Sequence, residues 1–326
     1  MLLQVLHETR YDYSAPVENA QHVAHLKPLV HPGQALLSHR LSISPQPAQL
    51  RTIHDVYGNS RTYFSLHSSH DRLVVLAESV VRTEVLPAPD LKQTVAWEKL
   101  RQHCQYQAGT PWDAAIEFAF GSPWAPRDEA FAQWARPSFS AGRPIGQAAW
   151  DLMQRIHRQM RYESLSTEVN TPALQALRQG KGVCQDFAHI LVACCRSLGL
   201  PARYVSGYVL TMPPPGQSRL VGSDASHAWA QVYCLPSNTD GQVDARRSGF
   251  WLDLDPTNER LAGPDYVSVA TGRDFLDVSP LRGVIQGGSS HRLSVAVTVA
   301  PLDSAPSALQ APVPHGDRAN DQGAAP

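Results

Sequence analysis

The chain has 326 residues, of which 43% are hydrophobic and 17% are charged, and its formal net charge is −1. This composition is typical of a globular protein and excludes a chain that is disordered throughout. The near-zero charge excludes a global basic field of the kind that attracts nucleic acid or a membrane surface. The length is sufficient for two domains, each with its own core.

The N-terminal segment and the cysteine content together predict a cytoplasmic protein. Residues 1–17 have no basic n-region, and His7 and Glu8 interrupt their apolar run, so no signal peptide is predicted. No stretch of eighteen apolar residues exists, which argues against a transmembrane helix. Five cysteines without a secretory signal argue against a disulfide framework and favour a reducing compartment.

Residues 1–86 predict a β-rich domain. They contain runs in which β-branched and aromatic residues occur in partial alternation, and Pro, Gly and Asn separate these runs. The predicted strands cover residues 2–13, 36–45, 51–66 and 73–85. Within the third of these, Asp55–Asn59 predicts a hairpin turn, since Gly58 and Asn59 tolerate positive φ. We expect a β-sandwich-like domain.

Residues 87–145 form a connecting region rich in Pro and Trp, with helical patches at 92–105, 113–119 and 126–136. Residues 146–300 are predicted to form the catalytic domain with a C-terminal β extension. Its predicted helices cover 147–161, 171–179 and 184–198, and its predicted strands cover 202–210, 227–235, 249–255 and 293–300. Residues 301–326 have almost no bulky apolar side chain and predict a disordered tail.

Cys184 begins a predicted helix directly after the turn Gly180-Lys181-Gly182. The free N–H groups and the macrodipole of a helix N-terminus favour a thiolate, and the same N–H groups can stabilise an oxyanion. Gly180 and Gly182 would let a substrate backbone approach closely. The apolar residues of this helix share one face with Cys184, so a buried structural thiol is the alternative.

The four other cysteines are expected to be structural: Cys104, Cys194, Cys195 and Cys234. Adjacent helical positions diverge by about 100°, so Cys194 and Cys195 cannot both join Cys184 in ligating one metal ion. No C-x-x-C pair exists. The sequence therefore predicts neither a zinc site nor a cofactor.

A metal hydrolase is a further possibility, because the chain has fourteen histidines. They are scattered along the sequence. The close pairs are His22/His25 and His67/His70, on segments predicted to be exposed. This pattern gives little support to a metal centre.

Two later strands offer a general base and a group to orient it. His227 begins a strand and can project beyond the sheet into a cleft, although a core histidine would explain it equally well. Asp255 ends the next strand, and Pro256 keeps it out of the α region, so that its carboxylate can reach His227. Asp253 points the same way but lies about 7 Å deeper, where a structural ion pair is expected. Cys184, His227 and Asp255 would act as nucleophile, base and orienting group.

Four ordered motifs resemble those of the bacterial transglutaminase-like superfamily. They are GVCQDFA at 182–188, RSLGLPARYVSGY at 196–208, HAW at 227–229 and DPTN at 255–258. The similarity extends to HETRYDY at 7–13, DVYGN at 55–59 and GRDFLDVSP at 272–280. Chance agreement of four motifs in order is implausible.

The resemblance implies a Cys-His-Asp triad formed by Cys184, His227 and Asp255. It implies an α+β fold, with a papain-like core (the cysteine-proteinase/transglutaminase core) behind the β-sandwich-like N-terminal domain. Gly182, Gln185 and Trp229 lie beside these residues in the motifs and are candidate substrate-binding residues. No metal ligand is assigned.

The expected function is thiol-dependent acyl transfer from a peptide or other amide through a thioester. The thioester would be released to water, as in a protease or amidase, or to an amine, as in a transglutaminase, and the sequence leaves this acceptor open. A non-catalytic binding or assembly module is the alternative, against which the complete triad argues. The expected partner is a peptide or protein amide, with neither nucleic acid nor membrane involved.

Overall fold

The computed structural model describes residues 1–303 apart from residues 107, 110, 111, 165, 168–170, 212–225 and 245. It contains one sheet of seven strands, one of five and one of two, together with six α-helices in the described part. The longest of these helices has 15 residues, and none in the described part of the chain has the length and hydropathy of a membrane span. Of the tail predicted to be disordered, residues 304–326 lie outside the described residues.

The N-terminal strands form most of the larger sheet. They are β1 (Leu2–Ala24), β2 (Gln34–Ser44), β3 (Gln49–His54), β4 (Ser60–Leu66) and β5 (His70–Thr83), paired antiparallel in the order β2-β5-β1-β4-β3. Leu3, Val5 and His7 are buried and alternate with half-buried neighbours, because successive side chains of a strand point to opposite faces. A register shift after Asp12 bends β1, so the predicted β-sandwich-like domain is a curled sheet.

The connecting region contains short helical elements, of which the first three lie within the predicted helical patches and the last extends beyond the third patch. They are α1 (Trp97–His103), a 3-10 helix (Ala114–Ala119), α2 (Glu129–Ala135) and a 3-10 turn (Arg136–Ser138). Asp113 accepts the backbone N–H of Ala115 at 2.9 Å, and Asp128 accepts that of Ala130 at 2.8 Å. These aspartates begin their helices because a side-chain oxygen satisfies an N–H that has no partner inside the helix.

The second half of the chain forms the papain-like core. Its helices are α3 (Ile145–Gln159), α4 (Ala173–Gln179), α5 (Cys184–Ser197) and α6 (Phe275–Val278). Its strands are β6 (Arg161–Tyr162), β7 (Lys181–Gly182), β8 (Ala202–Val209), β9 (Ser226–Cys234), β10 (Phe250–Asp255), β11 (Arg260–Leu261) and β12 (Tyr266–Gly272). Strands β8–β12 form an antiparallel sheet in the order β11-β10-β9-β8-β12, while β6 and β7 pair in parallel.

Helix α5 lies at the centre of this core, against β8 and β9 on one side and α2, α3 and α4 on the other. Every residue from Asp186 to Arg196 is buried, whereas the sequence predicted one apolar face. The helix ends where predicted. Gly199 has φ +78°, and the N–H of Leu200 donates to the carbonyl of Cys195 at 3.0 Å.

Two C-terminal strands return to the N-terminal sheet. β13 (Leu281–Gly287) pairs antiparallel with the second half of β1, and β14 (His291–Pro301) pairs antiparallel with its first half. The sequence predicted a strand at 293–300 without assigning it to a sheet, and it did not predict β13. The start and the end of the described chain therefore share one sheet.

The predicted hairpin turn at Asp55–Asn59 also connects the two large sheets. Asp55 Oδ1 accepts the N–H groups of Tyr57 and Asn59 at 2.9 Å each, and Gly58 has φ +83°. The buried amide of Asn59 then makes two hydrogen bonds, at 2.7 and 2.8 Å, with the backbone of Thr271 in β12. This turn is therefore a contact between the domains as well as a chain reversal.

The prediction that the paired histidines lie on exposed segments is wrong for three of the four. His22, His25 and His70 are buried, and only His67 is exposed. For His22 the reason is β13, which pairs with β1 and places Gly283 opposite this histidine. A Cβ on Gly283 would lie 2.2 Å from Nδ1 of His22, so this glycine leaves space for the ring.

Candidate active site

Cys184 is the first residue of α5, and the turn before it has a defined backbone. Gly180, with φ +65°, ends α4 in the left-handed region that glycine adopts without strain. Lys181 and Gly182 then pair with Arg161 and Tyr162 as the two-stranded parallel sheet. The thiol therefore lies at the N-terminus of a 14-residue helix, half-exposed, as the sequence predicted.

Asp186 holds this turn to the helix. Its Oδ2 accepts the N–H of Val183 at 2.8 Å and the hydroxyl of Thr167 at 2.7 Å. Burial raises the pKa of Asp186, and these two hydrogen bonds oppose the rise. A Cβ on Gly182 would lie 2.7 Å from that of Asp186, so the glycine is needed for this packing. Its assignment to substrate binding, like that of the half-buried Gln185, stays a prediction.

His227 and Asp255 meet at one edge of the five-stranded sheet. His227 is the second residue of β9, and Asp255 is the last residue of β10. Because β9 and β10 are antiparallel neighbours, the start of β9 lies beside the end of β10. His227 Nε2 lies 2.7 Å from Asp255 Oδ2, so the predicted hydrogen bond is present. The thiol of Cys184 lies close enough to His227 to raise the pKa of the imidazole. Because Nε2 faces Asp255, Nδ1 is the nitrogen left for the thiol.

The carboxylate of Asp255 is fully buried and accepts five hydrogen bonds. Oδ1 accepts the N–H groups of Thr257 and Asn258 at 2.8 and 3.2 Å. Oδ2 accepts from His227, from the amide of Asn258 at 2.7 Å and from the hydroxyl of Tyr266 at 2.6 Å. Burial would raise the pKa of Asp255, but His227, Tyr266 and Asn258 hold it below its usual value. The carboxylate is therefore charged and fixed in orientation.

Sequence reasoning did not single out Asn258 or Tyr266. Asn258 ends the DPTN motif, so its position beside Asp255 was a signal that could have been used. Tyr266 begins β12, which was not predicted. Strand β11 and its flanking loops separate Tyr266 from Asp255 in the sequence, so no local pattern indicates the contact. Burial raises the pKa of Tyr266, and so does the nearby Asp255 charge, so Tyr266 is a stable hydrogen-bond donor.

Burial alone would lower the pKa of His227, but its hydrogen bonds to Asp255 and Cys184 raise it to about 10. We therefore expect the ring to titrate near pH 10 instead of 6.5 in an NMR titration of the histidine Cε1–H signals. Since the folded-state pKa is raised, the proton stabilises the fold fully below pH 6.5, and this contribution is lost as the pH rises through about 10.

The matched variant for that titration is Asp255→Asn, which removes the charge and keeps the shape. It should lower the midpoint of His227 by about two units, because the neighbouring opposite charge is gone. A midpoint near 6.5 in the unmodified protein would contradict the ion pair between His227 and Asp255.

Trp229 was assigned to substrate binding, but the structure buries it completely. Its ring lies behind His227, with the ring centroids 6.1 Å apart, and its indole N–H donates to Asp253 at 2.7 Å. No surface of Trp229 is available to a substrate, because Tyr266 and the backbone of Gly207 pack against it. Trp229 therefore packs against the imidazole of His227.

Asp253 was expected to form a structural ion pair, and its role is structural but different. Its Oδ1 accepts hydrogen bonds from Trp229 and from Gln231, at 2.7 Å each. Burial raises the pKa of Asp253, while the nearby charges of His31 and Arg203 lower it. Asp253 thus fixes the tryptophan that supports His227.

The other cysteines differ from Cys184 in their surroundings. Cys194, Cys195 and Cys234 are buried in the core, and burial raises the pKa of each, to about 12 for Cys195. Burial also raises the pKa of the half-buried Cys104 to about 12. Within the described ranges, no group of three or more His, Cys, Asp or Glu side chains is arranged to hold a metal ion.

Two cavities lined by described residues lie away from Cys184. One of 720 Å³ is lined by Tyr106, Trp112 and Asp113, among others, and one of 1200 Å³ lies against the loop after β9. Their described lining residues include no member of the candidate triad, which is Cys184, His227 and Asp255.

Comparison with known proteins gives matches along most of the chain. The profile of the "Bacterial transglutaminase-like N-terminal region" matches residues 3–82, and that of the "Transglutaminase-like superfamily" matches residues 132–256. Rv2569c of Mycobacterium tuberculosis (strain H37Rv), described as an uncharacterized protein, is 38% identical over 306 residues, which cover 92% of this chain and 93% of that protein. The chain belongs to the transglutaminase-like superfamily.

A second relative extends this transglutaminase-like group. ML0607 of Mycobacterium leprae (strain TN), also described as uncharacterized, is 31% identical over 315 residues, which cover 92% of this chain and 99% of that protein. The core profile of the superfamily includes the positions of Cys184, His227 and Asp255.

A solved structure shares the transglutaminase-like fold over both domains. It is described as "a Putative Cysteine Protease from Cytophaga hutchinsonii" and superimposes with a TM-score of 0.68 at 20% identity. The match covers 94% of this chain and 92% of that chain. At this identity it shows the fold, which is the predicted papain-like core behind an N-terminal β domain.

Proposed function

We propose that this transglutaminase-like protein is a thiol-dependent acyl-transfer enzyme that acts on an amide of a peptide or protein. The main support is one imidazole, that of His227, which forms a hydrogen bond with the buried Asp255 and lies close enough to Cys184 for the thiol to raise the pKa of the ring. Cys184 lies at a helix N-terminus, where N–H groups and the helix dipole favour negative charge.

The proposed reaction has two steps. In the first, His227 already holds the proton of the Cys184 thiol, the sulfur bonds to the amide carbon, and the C–N bond breaks as the charged His227 protonates the leaving amine. In the second, water attacks the thioester, His227 takes its proton, and the C–S bond breaks to release the acid and restore the thiol. Asp255 keeps the ring oriented and stabilises its charged form throughout.

We propose water as the acyl acceptor, because hydrolysis needs no second binding site for an amine. The description of the similar Cytophaga hutchinsonii protein as a cysteine protease points in the same direction. The test is a screen of peptide amides with and without an added primary amine, with products identified by mass spectrometry. Free acid as the sole product supports hydrolysis, whereas an amine adduct would show transamidation.

We expect Cys184 to be the thiol that iodoacetamide alkylates first at neutral pH. Burial raises the pKa of each of the other four thiols, whereas Cys184 lies at a helix N-terminus close to the imidazole of His227. Limited labelling followed by peptide mass spectrometry measures the order. The His227→Gln variant should label at least about tenfold more slowly, since it lacks the group that takes the thiol proton.

Labelling of Cys104 ahead of Cys184 would contradict the assignment of the nucleophile. A Cys184 that is no faster in the unmodified protein than in the His227→Gln variant would indicate a non-catalytic scaffold. Cys104→Ala is the matched control and should leave the labelling of Cys184 unchanged.

A further inference from the structure

The short strand β6 lies close to Cys184 and has one edge that no other described strand pairs with. It pairs in parallel with β7, with Tyr162 opposite Gly182, two residues before the thiol. The N–H of Arg161 donates to the carbonyl of Gly180 at 2.8 Å, and that of Glu163 donates to the carbonyl of Gly182 at 3.0 Å. Because alternate residues of a strand turn their peptide groups to opposite sides, the N–H and C=O of Tyr162 face away from β7.

Tyr162 is placed to meet a ligand. The residue is 51% exposed, and its backbone has no hydrogen-bond partner among the described residues. Its ring packs on the buried Phe187 of α5, with the ring centroids 6.3 Å apart. Its phenol lies close enough to Cys184 for the two groups to interact electrostatically. An open pair of backbone groups thus flanks the nucleophile.

We propose that Tyr162 is a docking edge to which an extended peptide segment of the acyl donor adds as a further strand. The N–H and C=O of the peptide pair with the C=O and N–H of Tyr162, and the phenol ring contacts a neighbouring side chain of the peptide. The proposal rests on the proposed function, since the peptide is delivered to Cys184. The two residues from Gly182 to Cys184 span about 7 Å, the length of two extended peptide residues.

The geometry favours a peptide over other amides for a physical reason. A strand edge offers a donor and an acceptor at the spacing of another extended backbone, and it recognises that backbone whatever its side chains are. A small amide such as glutamine has no extended backbone to pair. The docking edge therefore assigns the substrate class as an extended, locally unfolded segment of a polypeptide.

Two variants separate the backbone of Tyr162 from its ring. Tyr162→Ala removes the ring and keeps the N–H, whereas Tyr162→Pro removes both. Proline is tolerated here because the N–H faces outward and the preceding Arg161 is already extended, so the pairing with β7 is kept. The difference in reaction rate between the two variants therefore measures the contribution of the hydrogen bond that the Tyr162 N–H donates to the peptide.

Two alkylating probes separate docking from thiol reactivity. Iodoacetamide and an acetyl-trialanine chloromethyl ketone both form a C–S bond with Cys184 and release a halide ion, but only the second has a peptide backbone. Iodoacetamide should react with all three proteins within about twofold. The tripeptide reagent should react about tenfold more slowly with the Pro variant than with the Ala variant, as expected for one lost hydrogen bond. Equal rates for these two variants would overturn the docking edge.

A binding measurement does not require reactivity. In the Cys184→Ala variant of the full chain, acetyl-trialanine methylamide should slow the hydrogen exchange of the Tyr162 N–H. Unchanged exchange at a saturating concentration of the peptide would overturn the proposal. If the peptide protects Tyr162 while iodoacetamide fails to label Cys184 in the unmodified protein, the docking edge stands and the proposed function fails.

Discussion

Replacing Asp255 with Ala is expected to reduce the turnover of the amide substrate by about two to four orders of magnitude. The carboxylate bonds to His227 at 2.7 Å, holds its Nε2 away from the thiol and stabilises the charged ring. Without it the ring can rotate and its pKa falls. The measurement is kcat/KM on the substrate that the amide screen identifies, normalised to the folded fraction from circular dichroism.

Asp255→Ala also leaves buried donors without an acceptor, so a second variant is needed in case it does not fold. Asp255→Asn keeps the shape and the hydrogen bonds to Oδ1, and it should lose turnover to a similar extent. The matched control is Asp253→Ala, two residues earlier on the same strand. Because Asp253 bonds to Trp229 and Gln231 and not to His227, its loss should cost about 2–3 kcal/mol of stability and less than about tenfold in rate. An inactive but stable Asp253→Ala with an active Asp255→Ala would overturn the assignment.

Replacing Arg196 with Met is expected to lower the free energy of unfolding by about 3–4 kcal/mol. The guanidinium is completely buried near the end of α5. It donates to the carbonyls of Phe118 at 3.0 Å, of Ala202 at 2.9 and 3.0 Å and of Ala125 at 3.4 Å, and to the hydroxyl of Ser122 at 2.9 Å. Met fills a similar volume but leaves these buried acceptors without donors.

Burial lowers the pKa of Arg196 to about 10, so the side chain is still charged at neutral pH. Urea unfolding followed by tryptophan fluorescence measures the stability. The control is the same substitution at the exposed Arg178 of α4, which should change stability by less than about 0.5 kcal/mol. Similar losses in the two variants would show that the hydrogen bonds of Arg196 contribute little to the core.

The parts of the site that the sequence predicted correctly depend on short-range geometry. The Gly-rich turn and the start of α5 at Cys184 follow from neighbouring residues, as does the end of that helix at Gly199. The position of His227 at the start of one strand and of Asp255 at the end of the next follows from the two-residue periodicity of those strands. Local patterns carry this information because each involves hydrogen bonds within a few residues.

Other features depended on contacts between distant segments. The predicted exposure of His22 was wrong because a strand that starts at residue 281 pairs with β1 and places Gly283 opposite this histidine. Trp229 follows the same strand alternation as His227, yet whether it reaches a substrate depends on Tyr266 and Gly207 from other strands. Periodicity indicates the side of a strand and not what covers it.

The sequence by itself determined which residues can do the chemistry: a cysteine at a helix N-terminus, a histidine that begins a strand and an aspartate that ends one. Only the tertiary structure decided how they are held. Asp255 is fixed by a hydroxyl of β12, His227 packs against a tryptophan oriented by Asp253, and β6 near Cys184 has one edge that no other described strand pairs with. The physical reason is that hydrogen bonds and burial between segments far apart in the chain depend on distances in the folded state, which no local pattern of residues encodes.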